Sequence, residues 1–200
     1  MTGIGTKIII GTLTAGALGG GAYGIYAYNN TTDTVEKYLL DSKLTITKDN
    51  EDVAWTKVYD TYLLEKTSSK LEIKDVAINN KNDIKNWCKS KLTQTIKSKE
   101  EHLYKQVSKW CVHYTTITDK VGKGKKLVSD VSALNSKFGS LPEYLRNEIG
   151  KVVLGSGVSG NTNGEKIKKW CTDNAKRSYV NDSEFYSKNI TAHCFVDSSG

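Results

Sequence analysis

Hydrophobic positions along this chain follow two kinds of pattern. Ile8 to Tyr28 form an unbroken run of 21 uncharged residues. From Asp33 onward, apolar residues recur every three or four positions among charged ones, as in helices with one buried face. Trp55, Val58, Tyr59 and Tyr62 keep this spacing after an acidic run from Asp49 to Asp52, a composition suited to a helix start. Ile84, Trp87, Cys88 and Leu92 share one helical face, as do Leu103, Val107, Trp110, Cys111 and Tyr114. Between them, Ser98-Lys99-Glu100-Glu101 has the form of a capping box opening the second helix. Ile167, Trp170 and Cys171, then Tyr186, Ile190 and Cys194, repeat the arrangement around Asn181-Asp182-Ser183-Glu184. A further helix is predicted from Ser140-Leu141-Pro142-Glu143, with Leu145 and Ile149 facing inward before Gly150. Pro142 suits a first turn, where its missing donor is not needed. Strand signals are scarce, Leu44-Thr45-Ile46-Thr47 being one short extended candidate. The expected fold class is all-α.

The chain matches itself at an offset of 83 residues. Ile84-Lys85-Asn86-Trp87-Cys88 recurs as Ile167-Lys168-Lys169-Trp170-Cys171, and each pair of cysteines is separated by 23 residues. Glu101 matches Glu184 and Lys105 matches Lys188. Upstream, Lys43-Leu44 matches Lys126-Leu127, and Trp55 falls opposite Phe138. These matches divide the chain into an N-terminal anchor (1–30) and two related helical units (31–115 and 116–200), each ending in a helical hairpin. His193-Cys194 stands where a second Trp-Cys pair would fall.

The spacing bears on the cysteines. Cys88 and Cys111 are equidistant from the turn between Lys99 and Glu100, so in an antiparallel hairpin they lie at one height on facing helices. Disulfides Cys88–Cys111 and Cys171–Cys194 are therefore the favoured pairing among the three that four cysteines allow. The alternative is four buried thiols acting as small hydrophobes. Bonds of this kind persist in oxidising, exported locations.

The uncharged run spans roughly 30 Å as a helix, the thickness of a bilayer core. Lys7 precedes it, and Tyr23, Tyr26 and Tyr28 close it where amphipathic rings favour the interface. This predicts a single-pass signal-anchor with the amino terminus inside and the rest of the chain outside. Its glycines dilute the apolar residues, and Gly16-xxx-Gly20 and Gly20-xxx-Gly24 offer a face for homodimerisation. Two other readings are cleavage after Ala15-Gly16-Ala17, releasing a soluble domain, and a glycine-rich arm held within an assembly. Overall, 29 basic and 22 acidic residues leave a charge of +7, all but Lys7 of it beyond residue 32. Acidic residues interrupt the basic stretches throughout, so most lysines read as solvated helix faces. The excess favours anionic surfaces without bearing on fold.

No catalytic, cofactor or metal constellation stands out. Gly155-Ser156-Gly157-Val158-Ser159-Gly160 matches GxGxxG, but the alternating strand–helix context of a dinucleotide site is missing, and the run to Gly164 reads as a flexible loop. Cys111 and His113 point apart on a helix, and His193 and Cys194 are no better placed for nucleophile and base. No CxxC or HxxxH spacing suggests zinc. His102 reads as solvated beside Glu101, and Glu51-Asp52 and Glu100-Glu101 as carboxylates at helix starts. The tryptophans share apolar faces with cysteines, which reads as core rather than a nucleic-acid interface. Asn29, Asn30, Asn181 and Asn189 begin N-x-S/T sequons.

The Gly/Ala-rich span ending in GAYGIYAY, followed by the lone Trp55, Trp87-Cys88, Trp110-Cys111 and Trp170-Cys171, resembles the short, highly paralogous membrane-anchored proteins of the haemotropic mycoplasmas. That resemblance implies a cell-membrane location facing host plasma. Large paralogous surface families commonly serve attachment or antigenic variation, and by that analogy the expected role is non-enzymatic, with host-cell surface or plasma proteins as partners. The other expectation is a structural or scavenging module that pairs with another membrane component.

Overall fold

The computed structural model describes residues 32–157, 160 and 162–198, so the expected anchor, Ile8–Tyr28, lies outside the described residues. No helix among the described residues is long and apolar enough to cross a membrane. The described chain is mostly helical. Its helices are α1 (Val35–Asp41), α2 (Asp52–Glu65), α3 (Lys81–Leu92), α4 (His102–Trp110), α5 (Ile117–Val121), α6 (Val131–Lys137), α7 (Glu143–Gly150), α8 (Thr162–Asn174) and α9 (Phe185–His193). Two small antiparallel pairs accompany them: β1 (Asp33–Thr34) with β2 (Thr95–Ile96), and β3 (Lys125–Leu127) with β4 (Phe195–Asp197).

The apolar stripes pack into two separate cores. In the first, Val35 and Leu39 of α1 meet Trp55 and Tyr62 of α2, Trp87 of α3 and Trp110 of α4. In the second, Ile117 of α5, Leu134 of α6, Leu145 and Ile149 of α7, Trp170 of α8 and Ile190 of α9 come together. One cystine sits in each: Cys88–Cys111 and Cys171–Cys194, with Cα–Cα distances of 5.6 and 5.4 Å. Each contributes on the order of 3 kcal/mol by closing a loop in the unfolded chain.

The two halves share hydrogen bonds position by position. Thr34 and Thr116 cap α1 and α5 with their side chains. Thr34 lies opposite Thr95, and Thr116 bridges Ser178. The next amide follows suit, Val35 N donating to Gln94 O and Ile117 N to Arg177 O. Thr47 N donates to the Cys111 carbonyl at 3.0 Å, and Val128 N to that of Cys194 at 2.9 Å. Glu101 and Glu184 are both N-caps, of α4 and α9. These bonds shift the upstream register. Ile46 bridges Val112 while Leu127 pairs with Phe195, so Ile46 rather than Leu44 is the counterpart of Leu127. A longer connection in the second half, 44 residues from Leu127 to Cys171 against 42 from Ile46 to Cys88, restores the offset of 83 at the hairpin. Trp55 and Phe138 also part company: Trp55 lies inside the long α2, whereas Phe138 opens a 3₁₀ turn after the short α6.

Several helix boundaries differ from the predicted ones, Pro142 standing as the N-cap of α7 rather than in its first turn, and α9 shifting at both ends as α4 does. The Ser98–Glu101 box starts α4 one turn later than expected, because Glu101 itself is the N-cap and its carboxylate folds back to accept Lys97 N and Ser98 N. Helix α4 also ends at Trp110: Cys111 is its C-cap, and Val112 and Tyr114 belong to the extended chain that follows. Gly164 is not loop but part of α8. A Cβ there would stand 2.1 Å from the Val131 carbonyl oxygen, so only glycine lets α8 cross α6 at this distance. The matching position in the first half is Lys81, at the start of α3.

Gly164→Ala is expected to cost about 2–3 kcal/mol in urea unfolding, the upper part of the range for overpacked sites. Gly150→Ala, at the end of α7 with nothing within 4 Å of the added carbon, should leave stability unchanged or slightly raised.

Candidate functional site between the two cores

Helix α2 continues its buried stripe past Trp55, Val58 and Tyr62 to Glu65, a carboxylate where an apolar residue would be expected. The Glu65 side chain is only 10 % exposed, and its Oε2 lies 2.6 Å from Nζ of Lys109 on α4, itself 16 % exposed. The remaining partners come from the second half. Ser178 donates its backbone N–H to Glu65 Oε1 at 2.7 Å, and its hydroxyl lies 3.0 and 2.9 Å from the two oxygens. Lys109 also donates to that hydroxyl at 2.7 Å. A charge pair this far from water is tolerated where hydrogen bonds offset its desolvation, and Ser178 supplies them to both partners.

Other bonds join the halves around this centre. Thr61 donates to the Lys176 carbonyl at 2.8 Å, and Lys176 pairs with Asp60. Lys57 pairs with Asp119 at 2.7 Å, and within the first half Tyr114 donates its hydroxyl to the carbonyl of that same Lys57. Burial pushes the Asp119 carboxyl up, but the Lys57 ammonium and the hydrogen bonds from Thr116 outweigh it and hold it below the usual carboxylate range. Burial drives the Tyr114 phenol far above its ordinary value, opposed by a hydrogen bond with Thr61 and reinforced by Glu65.

Beside the Glu65–Lys109 pair lies a cleft of about 260 Å³, lined by Ser68 and Ser69 after α2 and by Arg177, Val180, Glu184 and Tyr186 from the second half. The guanidinium carbon of Arg177 lies over the Tyr186 ring, 3.8 Å from its centroid, and Nε donates to Asn174 at 2.7 Å. Burial raises the Tyr186 phenol, with Arg177 opposing and Glu148 adding to the rise. Trp170 stacks against the same tyrosine, with the ring centroids 6.2 Å apart. The result is a held cation facing open space.

Comparisons with protein-family models, curated proteins and solved structures returned no match. The cleft must be judged on its own chemistry. It offers a planar donor fork, a carboxylate and hydroxyls. Among the described residues, no group of three or more His, Cys, Asp or Glu is placed to hold a metal ion.

The four cysteines are all bonded and at most 1 % exposed, so they hold the cores rather than line the cleft. His102 is exposed beside Glu101, and His113 pairs with Glu51 at the surface, 2.8 Å apart. Asn189 is 3 % exposed and bonded to the Phe185 carbonyl, so its sequon is closed, whereas Asn181 lies at the surface. Gly155–Gly157 is part of a turn region and not a strand-to-helix junction. Neither Glu65 nor Arg177 was expected from the sequence. The signal for Glu65 is its place on the buried stripe; Arg177 carries none, because nothing local marks it as stacked.

Removing one member of the buried pair strands the other. Glu65→Gln and Lys109→Met should each cost about 2–4 kcal/mol. A double-mutant cycle by urea unfolding should return a coupling of at least about 1 kcal/mol; additive costs would show that the pair does not act as a unit.

His193 ends α9 at the position matched by Trp110, and burial, then Lys137, lowers its imidazole pKa below the ordinary 6.5. The unfolded chain therefore binds a proton that the folded chain resists. Stability from this group is full above about pH 6.5 and falls as pH drops toward the lowered folded value. The fall in melting temperature between pH 7.5 and 5 should be smaller in His193→Gln than in the unsubstituted protein.

Proposed function

We propose that this chain is a surface-displayed interaction protein, a helical domain of two related units held outside the membrane by its N-terminal segment. The carrying observation is the pair of cystines, each at the centre of one core with no free cysteine among the described residues. Such bonds are maintained in oxidising compartments, which supports an exported domain. The position-by-position hydrogen bonding of the two halves supports a duplicated unit. The run Ile8–Tyr28 supplies a hydrophobic length suited to an anchor, and the likeness to haemotropic mycoplasma proteins supports display toward a host. The excess of basic residues favours contact with anionic host surfaces, a contact that weakens as salt rises. Attachment and antigenic variation both fit this role, and neither requires catalysis.

The native cysteines are too buried to report topology in the folded state, so a reporter is placed at Val153, which is 82 % exposed. In intact cells producing the full chain, a membrane-impermeant maleimide should label Val153→Cys without lysis. In denatured extracts, the four native cysteines should resist alkylation until a reductant is added. Labelling of Val153→Cys only after lysis, or native thiols that alkylate without reductant, would sink the proposal.

A further inference from the structure

The charges around the cleft do not all cancel. Glu65 is spent, because both of its oxygens are occupied by Lys109 and Ser178. Two groups are not spent. Arg177 uses its Nε on Asn174 and its face on Tyr186, which leaves both terminal nitrogens without a protein partner among the described residues. Glu184 uses one oxygen to cap α9 through Ser187 N at 2.7 Å, which leaves the other unengaged. Both side chains line the same cleft, yet they form no ion pair with each other. The reason is local: Asn174 and Tyr186 hold the guanidinium, and the helix cap holds the carboxylate.

A guanidinium fixed in orientation is a two-pronged donor for a carboxylate, and it has lost little side-chain freedom left to lose. A bare anion entering the cleft would meet Glu184 as a repulsive neighbour. A ligand that also carries an ammonium turns that repulsion into a second contact. The volume, about 260 Å³, lies just below the usual range of drug-sized ligand sites, which suits a molecule of few atoms and is too small for a folded partner. We propose that the cleft between the two cores binds a small zwitterion, a free amino acid or a short peptide, with its carboxylate on Arg177 and its ammonium on Glu184. This does not rest on the surface placement proposed above, since the binding is measured on purified protein.

The test uses the full chain purified in mild detergent, with the twenty common L-amino acids and dialanine titrated singly by calorimetry. At least one should bind with a dissociation constant below about 10 mM. For the tightest, the N-acetyl and the C-terminal amide forms should each bind about tenfold more weakly or worse. Arg177→Lys keeps the charge but loses the fork, and should weaken binding about tenfold. Glu184→Ser keeps a capping oxygen for Ser187 N while removing the charge, so it should abolish the preference for a free ammonium without unfolding α9. Circular dichroism and melting of both variants confirm that they fold. A tighter fit for dialanine than for any single amino acid assigns the site to peptides, and the reverse assigns it to free amino acids. No binding by any probe, equal binding of the N-acetyl form, or affinity unchanged in both folded variants would each overturn the proposal.

Discussion

Each half of the molecule is organised around the end of one helix. Cys111 and Cys194 are C-caps, of α4 and α9, and each is joined by a disulfide to the helix that precedes it in the hairpin. The carbonyl of the same cysteine accepts an amide from the incoming chain, Thr47 or Val128. Three segments are thus tied at one residue: the first helix by sulfur, the second by its own last turn, the N-terminal part by a backbone bond. A shift of even one residue in the hairpin would move the sulfur and the carbonyl together. That explains why the separation of 23 residues is kept in both halves while the upstream register drifts.

The same frame is filled in two ways. In the first half, the stretch between α2 and α3 has no regular structure, and the polar tips of core residues hold it down. Trp110 donates to the Leu71 carbonyl, Gln106 to that of Glu72, and Trp87 to the Asp75 carboxylate, while the Tyr62 hydroxyl bonds Ile73. Asp75 is pushed up by burial, but Lys91 and the Trp87 indole hold its carboxyl below the ordinary range. In the second half, the positions that match the long α2 are divided between the end of α6 and α7. The tie-down residues differ there as well. The counterpart of Trp110 is the half-buried His193, and the Trp170 indole nitrogen, which matches Trp87, has no partner among the described residues. The close crossing of α6 and α8 at Gly164 is likewise particular to the second half, since Lys81 stands at the matching position.

These two solutions explain what was legible beforehand. Helical faces, the hairpins and the cysteine pairing follow from periodicity and from distances counted along one chain segment. Residues such as Ile84, Trp87 and Cys88, or Leu145 and Ile149, are buried where their spacing placed them. Gly164 was hidden because a glycine after Gly, Ser and Asn looks like loop, and only the neighbouring helix makes its missing side chain necessary. The upstream register was hidden because Lys43-Leu44 and Lys126-Leu127 are identical pairs, whereas the pairing of Ile46 with Val112 and of Leu127 with Phe195 makes Ile46 the counterpart of Leu127. Arg177 was hidden for a different reason. Its partners Asn174 and Tyr186 are near in sequence, but the stack exists only because α9 returns beside α8.

The two cores meet through a polar centre. An apolar contact between the halves would tolerate sliding, since burial is non-directional. Glu65 instead accepts a backbone amide, a hydroxyl and an ammonium, and no other placement of Ser178 satisfies all three. Fixing Ser178 also fixes Arg177, one residue before it, whose carbonyl takes the Ile117 amide and whose side chain turns onto Tyr186. The first half thereby sets the position of a cation that belongs wholly to the second. The cleft beside it follows from joining two units of the same frame through one ion pair: the charges used in the joint are cancelled, and those next to it are oriented but left unspent.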